Sequence, residues 1–176
     1  MSRLTLVTGG ARSGKSRHAL ALMEPYAKRA FVATAEALDE EMRERIARHQ
    51  AERAGSFITV EAPLDLGEAV RSLPGDLEAA IVDCLTVWLG NLMHYYGEDE
   101  AGLGARVEEL IAALREPPCD LVVVTNELGM GIVPDNELAR RFRDLAGWLN
   151  QDVAELADEV VLVVSGIPLT LKRSSQ

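Results

Sequence analysis

Short apolar runs alternate along this chain with stretches whose apolar residues recur every three or four positions. Residues 4–8, 30–34, 57–61, 79–83, 120–125 and 160–165 read as strands. Residues 15–28, 38–53, 64–73, 84–94, 101–115 and 134–157 read as helices, with 97–104 as a loop. In the last helix Leu138, Phe142, Leu145, Leu149, Val153 and Leu156 form one stripe, and Pro134 suits its first turn. The strands are continuously apolar rather than alternating. Such strands are buried on both faces, so the expected fold is α/β, a mostly parallel sheet with helices on both faces.

Length and composition fit one domain over residues 1–176, with a core that needs no disulfide or structural metal. Cys84 and Cys119 stand far apart and lack the spacing of a redox pair or zinc site. No apolar stretch is long enough for a membrane span, and the N-terminal apolar run is too short for a signal peptide, so a cytoplasmic protein is expected. The 18 Lys and Arg against 28 Asp and Glu leave a formal net charge of −10. That balance disfavours a nucleic-acid partner, which needs excess cation to neutralise its phosphates. A small phosphorylated ligand needs only a local cradle and stays admissible.

Such a cradle follows the first strand. The residues Gly9, Gly10, Ala11, Arg12, Ser13, Gly14, Lys15 and Ser16 fit G-x-x-x-x-G-K-[ST]. Glycines let the backbone turn so that several N–H groups converge, and the following helix adds its positive end. Lys15 reaches the outer phosphates of a nucleotide, and the Ser16 hydroxyl suits Mg2+. A second metal carboxylate belongs at the end of a buried strand. Asp83 stands there; it also suits the N-cap of the helix that follows, and the two roles can coexist. Glu127, after the next strand, is a rival on the metal or substrate side.

Arg45, His49 and Arg53 fall at i, i+4 and i+8 and share one helix face. Two guanidiniums beside an imidazole suit phosphate recognition and favour the neutral, nucleophilic ring. Local pattern by itself favours a solvated surface helix with pairs such as Glu41–Arg45 and Glu44–Arg48. Of the other histidines, His18 lies near the cradle or packs, and His94 reads as structural.

Taken together, V-T-G-G-A-R-S-G-K-S-R-H-A, R-I-A-R-H-Q-A-E-R, V-D-C-L-T-V-W-L-G-N-L and V-T-N-E-L-G-M-G-I-V-P resemble a known family. It is the bifunctional adenosylcobinamide kinase / adenosylcobinamide-phosphate guanylyltransferase family of cobalamin biosynthesis. A-R-R-F-R-D-L-A-G-W-L-N-Q and V-V-S-G-I-P-L extend the likeness over nearly the whole chain.

The resemblance implies a RecA-like P-loop fold, Mg2+, and ATP or GTP as phosphoryl donor to adenosylcobinamide. It further implies transfer of GMP from GTP, through His49, to adenosylcobinamide phosphate. That reverses the local reading of His49. Nucleotide contacts would fall on Gly9–Ser16, Ala33, Thr34, Ala35, Gln50, Ala51, Glu52, Arg53, Glu61 and Asp83. A homotrimer is implied as well; Trp88, Leu92 and Met93 are either its contacts or ordinary core.

Leu20 and Ala54 depart from the family's usual acidic residue and proline, outside the proposed chemistry. Two other classes fit the cradle: a P-loop kinase of another alcohol, and a nucleotide-binding regulatory module without transfer. Competition by cobinamide separates the first, and pyrophosphate release the second.

Overall fold

A computed structural model describes residues 2–36 and 55–174. Its strands are β1 (Leu4–Thr8), β2 (Arg29–Ala33), β3 (Ile58–Glu61), β4 (Ala79–Asp83), β5 (Asp120–Val124), β6 (Glu159–Val164) and β7 (Ile167–Arg173). The helices are α1 (Lys15–Leu22), α2 (Leu66–Arg71), α3 (Leu85–Tyr96), α4 (Glu100–Arg115) and α5 (Glu137–Leu156). The strands make one sheet in the order β3-β2-β4-β5-β1-β6-β7, parallel throughout except for the last pair.

Each strand sends alternate side chains to opposite faces. Leu4, Leu6, Val82, Leu121 and Val123 meet Leu66, Trp88, Leu92, Leu110, Leu149 and Val153 from α2 to α5. On the other face Val7, Phe31, Ile81, Val122 and Val163 meet Ala19 and Met23 of the α1 segment. The expected two-sided parallel sheet is therefore present. Among the described residues no helix is long and apolar enough to cross a membrane.

Several expectations are corrected, each by local chemistry. The helix expected over 15–28 stops at Leu22, since Pro25 cannot continue the hydrogen-bond ladder. Residues 100–104 are helix rather than loop: Asp99 accepts from the Gly102 N–H at 3.0 Å and starts α4. Gly102 is required by packing, because a Cβ there would lie 2.5 Å from the Tyr96 ring. Pro134 precedes α5 instead of opening it, and Asn136 caps that helix by accepting from Ala139 N–H at 3.1 Å.

Trp88 and Leu92 are 0% exposed, so they are core and unavailable to another subunit; Met93, 9% exposed, packs in the core with only an edge toward the groove between α3 and α5. The helix expected over 38–53 lies outside the described residues.

Strand β7 was not expected. Its Pro168 lies on the edge of the sheet, where a missing N–H breaks no ladder. Ser165 (φ 52°) and Gly166 (φ 80°) join β6 to β7 in a two-residue turn with both central φ values positive.

Helix α2 packs on α4 at Gly67, where a Cβ would come within 2.8 Å of the Glu109 backbone. Gly67→Ala should destabilise the protein by roughly 1–3 kcal/mol through forced separation of the helices. A thermal melt unchanged from the parent would refute this close approach.

Candidate functional site: a phosphate cradle at the strand ends

Parallel pairing aligns the carboxyl ends of the strands. Glu61, Ala33, Asp83 and Val124 are register partners in one row across β3, β2, β4 and β5, and Val124 pairs with Val7 of β1. The loop 9–16 leaves β1 at this edge, where open α/β sheets bind ligands.

Its conformation follows from its glycines. A Cβ on Gly9 would sit 2.5 Å from the Val163 carbonyl oxygen and 2.7 Å from Ser13 Oγ, so no larger residue fits. Gly14 takes φ 97° at the head of α1, a region that L side chains avoid. Arg12 also has positive φ, 56°. Gly10, Ala11 and Arg12 are exposed, Ser13 and Ser16 half-buried, and Lys15 buried. The Lys15 ammonium donates to the Gly10 carbonyl at 3.0 Å, folding across the loop.

Neighbouring strands tie this loop down from two sides. Glu127 N–H donates to Gly9 O at 3.1 Å, and Gly166 N–H donates to Ser13 O at 2.7 Å. The second bond comes from the β6–β7 turn, which gives the unexpected strand a place in the site. Two buried oxygens, Thr8 Oγ1 and Ser13 Oγ, have no hydrogen-bond partner among the described residues. A buried hydroxyl left unpaired costs about 1–3 kcal/mol.

Asp83 is half-buried at the end of β4, and the N-cap position belongs to Cys84, which leaves Asp83 outside the helix cap. What holds this corner is Thr34. Its hydroxyl donates toward the Asp83 and Cys84 carbonyls, both at 3.0 Å, and accepts from Cys84 N–H at 2.9 Å. The Thr34 carbonyl in turn accepts from Asn91 Nδ2 at 2.7 Å, and the same amide group reaches Pro63 O at 3.0 Å. Thr34 is fully buried, so its visible work is to position Asp83; Ala33 and Ala35 flank it half-buried, and Glu61 is exposed.

Across the sheet, Thr86, Thr125 and Asn150 form a second lock: Thr125 Oγ1 donates to Asn150 Oδ1 at 2.8 Å, and Asn126 N–H donates to Thr86 Oγ1 at 2.9 Å. This sets the backbone that leads to Glu127. His18 is half-buried beside the loop and His94 is exposed at the end of α3. Arg45, His49, Gln50, Ala51, Glu52 and Arg53 lie outside the described residues.

Cys84 adjoins the site, and its thiol registers both charges there. Burial pushes its pKa up, Asp83 pushes further, and Lys15 opposes. Burial likewise raises Cys119, to about 11. Both thiols are free and buried. At pH 8 a thiol reagent should therefore label neither in the native state and both after denaturation; native labelling at the rate of a free thiol would refute this. Lys15→Ala should weaken triphosphate binding about 10- to 100-fold, the loss of a charge-assisted bond, with little change in melting temperature. Calorimetric titration with GTP measures it, and unchanged affinity would remove Lys15 from the phosphate site.

Comparison with known proteins covers nearly the whole chain. A family profile described as cobinamide kinase / cobinamide phosphate guanyltransferase matches residues 5–171. The bifunctional adenosylcobalamin biosynthesis protein CobU of Escherichia coli (strain K12) is 43% identical over 96% of this chain and 99% of its own. The corresponding CobP of Pseudomonas aeruginosa is 44% identical over 95% and 96%.

Among solved structures, a Pyrococcus horikoshii OT3 protein superposes with a TM-score of 0.59 at 10% identity, covering 99% of this chain and 88% of that one. A type III secretion ATPase gives 0.55 at 10% identity, over 96% and 56%. These distant structures support the α/β fold alone. With a profile match that opens in the first strand and closes in the last, the chain belongs to the cobinamide kinase / cobinamide phosphate guanyltransferase family.

Proposed function

We propose that this chain is a bifunctional transferase that first phosphorylates adenosylcobinamide with ATP or GTP and then converts the product to adenosylcobinamide-GDP. The observation that carries the reading is the tied-down phosphate loop 9–16 in a chain that matches bifunctional relatives nearly end to end.

Ser16 and Asp83 would hold Mg2+, which when bound neutralises phosphate charge. Among the described residues no three His, Cys, Asp or Glu side chains gather at one point, so the nucleotide would complete the ligand set.

In the kinase step Lys15 and the loop N–H groups hold the donor while the γ-phosphoryl group passes to the aminopropanol hydroxyl. In the second step an imidazole nitrogen of His49 attacks the α-phosphorus of GTP. The bond to the bridging oxygen breaks and pyrophosphate leaves. A phosphate oxygen of adenosylcobinamide phosphate then attacks the same phosphorus, breaking the P–N bond. Gln50–Arg53, Ala33–Ala35 and Glu61 would flank the nucleotide. The same loop would hold the transferred phosphoryl in one reaction and the departing pyrophosphate in the other.

The trimer is part of the proposal too. With Trp88, Leu92 and Met93 in the core, its candidate contacts shift to the β6–β7 hairpin, which exposes Val164, Ile167, Leu169 and Leu171. A cytoplasmic location is proposed with it.

Incubation with α-labelled and γ-labelled GTP, with and without cobinamide, tests the reading. His49→Ala should retain phosphorylation of cobinamide and lose protein-bound GMP, whereas Lys15→Ala should weaken both. A persistent acid-labile GMP adduct in the His49→Ala protein would refute the nucleophile, and absence of phosphoryl transfer to cobinamide in the parent would refute the function.

A further inference from the structure

The segment between β5 and α5 inverts the usual pattern of a surface loop. Hydrogen bonds fasten its two ends while its large apolar side chains face out. Met130 is 80% exposed, Ile132 97%, Val133 59% and Leu138 61%. Asn126 O accepts from Asn150 Nδ2 at 3.0 Å, and Arg140 donates to the carbonyls of Pro134 and Asp135 at 2.9 and 2.7 Å. Leu128 alone turns inward and packs against the core. Scattered exposed apolar residues are ordinary, but four within nine positions on a segment held at both ends mark a contact surface.

Position identifies what it would contact. The segment begins at Glu127, whose N–H bonds Gly9 of the phosphate loop, so it borders the cradle. It ends at Leu138, which lines an open groove of about 1060 Å3 between the end of α3 and the start of α5. Met93 and Phe142 give that groove an apolar wall; His94, Asn136 and Arg141 supply polar groups along it. Arg141 also donates to Gly97 O at 3.0 Å and so joins the two helices that form the groove.

The groove is open and lined by both apolar and polar side chains, which suits a macrocycle with an apolar edge and a rim of amides. An acceptor of that chemistry must bring a hydroxyl to the outer phosphate while its bulk lies beside the loop. Continuity from Gly9 through Glu127 to Leu138 provides both.

We propose that Met130, Ile132, Val133 and Leu138, with the adjoining groove, form the binding ledge for the corrinoid macrocycle, a subsite distinct from the nucleotide cradle. This rests on the function proposed above and assigns its acceptor side. The ledge orients the acceptor and sets its affinity; none of its residues takes part in phosphoryl transfer.

The test is equilibrium dialysis with dicyanocobinamide, followed by its visible absorbance, so that catalysis is not needed. The double variant Met130→Ser/Ile132→Ser should bind it about tenfold or more weakly, from loss of apolar contact. GTP affinity and melting temperature should match the parent, and Ile58→Ser, an exposed apolar control at the far edge, should leave cobinamide binding unchanged. Equal affinity in the parent and the double variant overturns the ledge while leaving the proposed function standing. Unchanged cobinamide affinity with a reduced sedimentation mass also overturns it, making the patch a contact between copies. A parent protein that binds no cobinamide removes the ledge and the proposed function together.

Discussion

Most of what this protein can do depends on the backbone of loop 9–16 being held open by its neighbours. A phosphate cradle works only if its N–H groups converge before the ligand arrives, and eight residues with three glycines do not hold that shape alone. Here the Gly9 carbonyl is taken by Glu127 from one side and the Ser13 carbonyl by Gly166 from the other. Both bonds come from chain that leaves the strands flanking β1. Parallel pairing of β5, β1 and β6 is therefore the structural condition for the site, and the apolar interior of those strands is the condition for the pairing.

The same logic governs the carboxylate. Asp83 stands at the edge because β4 ends there, but its surroundings are determined by Thr34, which has spent its hydroxyl on the Asp83–Cys84 corner. Asn91 then ties the end of β2 to the chain after β3. Two buried polar side chains, Thr34 and Asn91, thus hold the strand ends at fixed spacing. They resist displacement because each is satisfied; losing one partner would leave unpaired groups in a dry interior.

Much of the fold was legible along the chain because its signals are local. Runs such as A-A-I-V-D and D-L-V-V-V-T can only be buried strands, and G-G-A-R-S-G-K-S carries its backbone requirements in its composition. Composition is misleading where a residue answers to a packing partner. Gly102 resembles a loop residue, yet it is helical and small because Tyr96 lies against it. Strand β7 carries a proline and few buried side chains, so only its pairing with β6 reveals it. Trp88, Leu92 and Met93 admitted either core or interface until helix α3 was placed.

By itself the sequence determined the alternation of strands and helices, the phosphate loop, the charge that disfavours nucleic acid, and the family likeness. These rest on side-chain chemistry and spacing within a few residues. Tertiary structure decided what depends on groups far apart in the chain: that Gly166 props the cradle, that Thr34 sets Asp83, and that Thr8 ends in an unpaired hydroxyl. It also decided that the apolar residues after Glu127 face outward, on chain that starts beside loop 9–16. Burial and hydrogen bonding are properties of a place in the fold, and a residue acquires them only when the sheet brings its partners alongside.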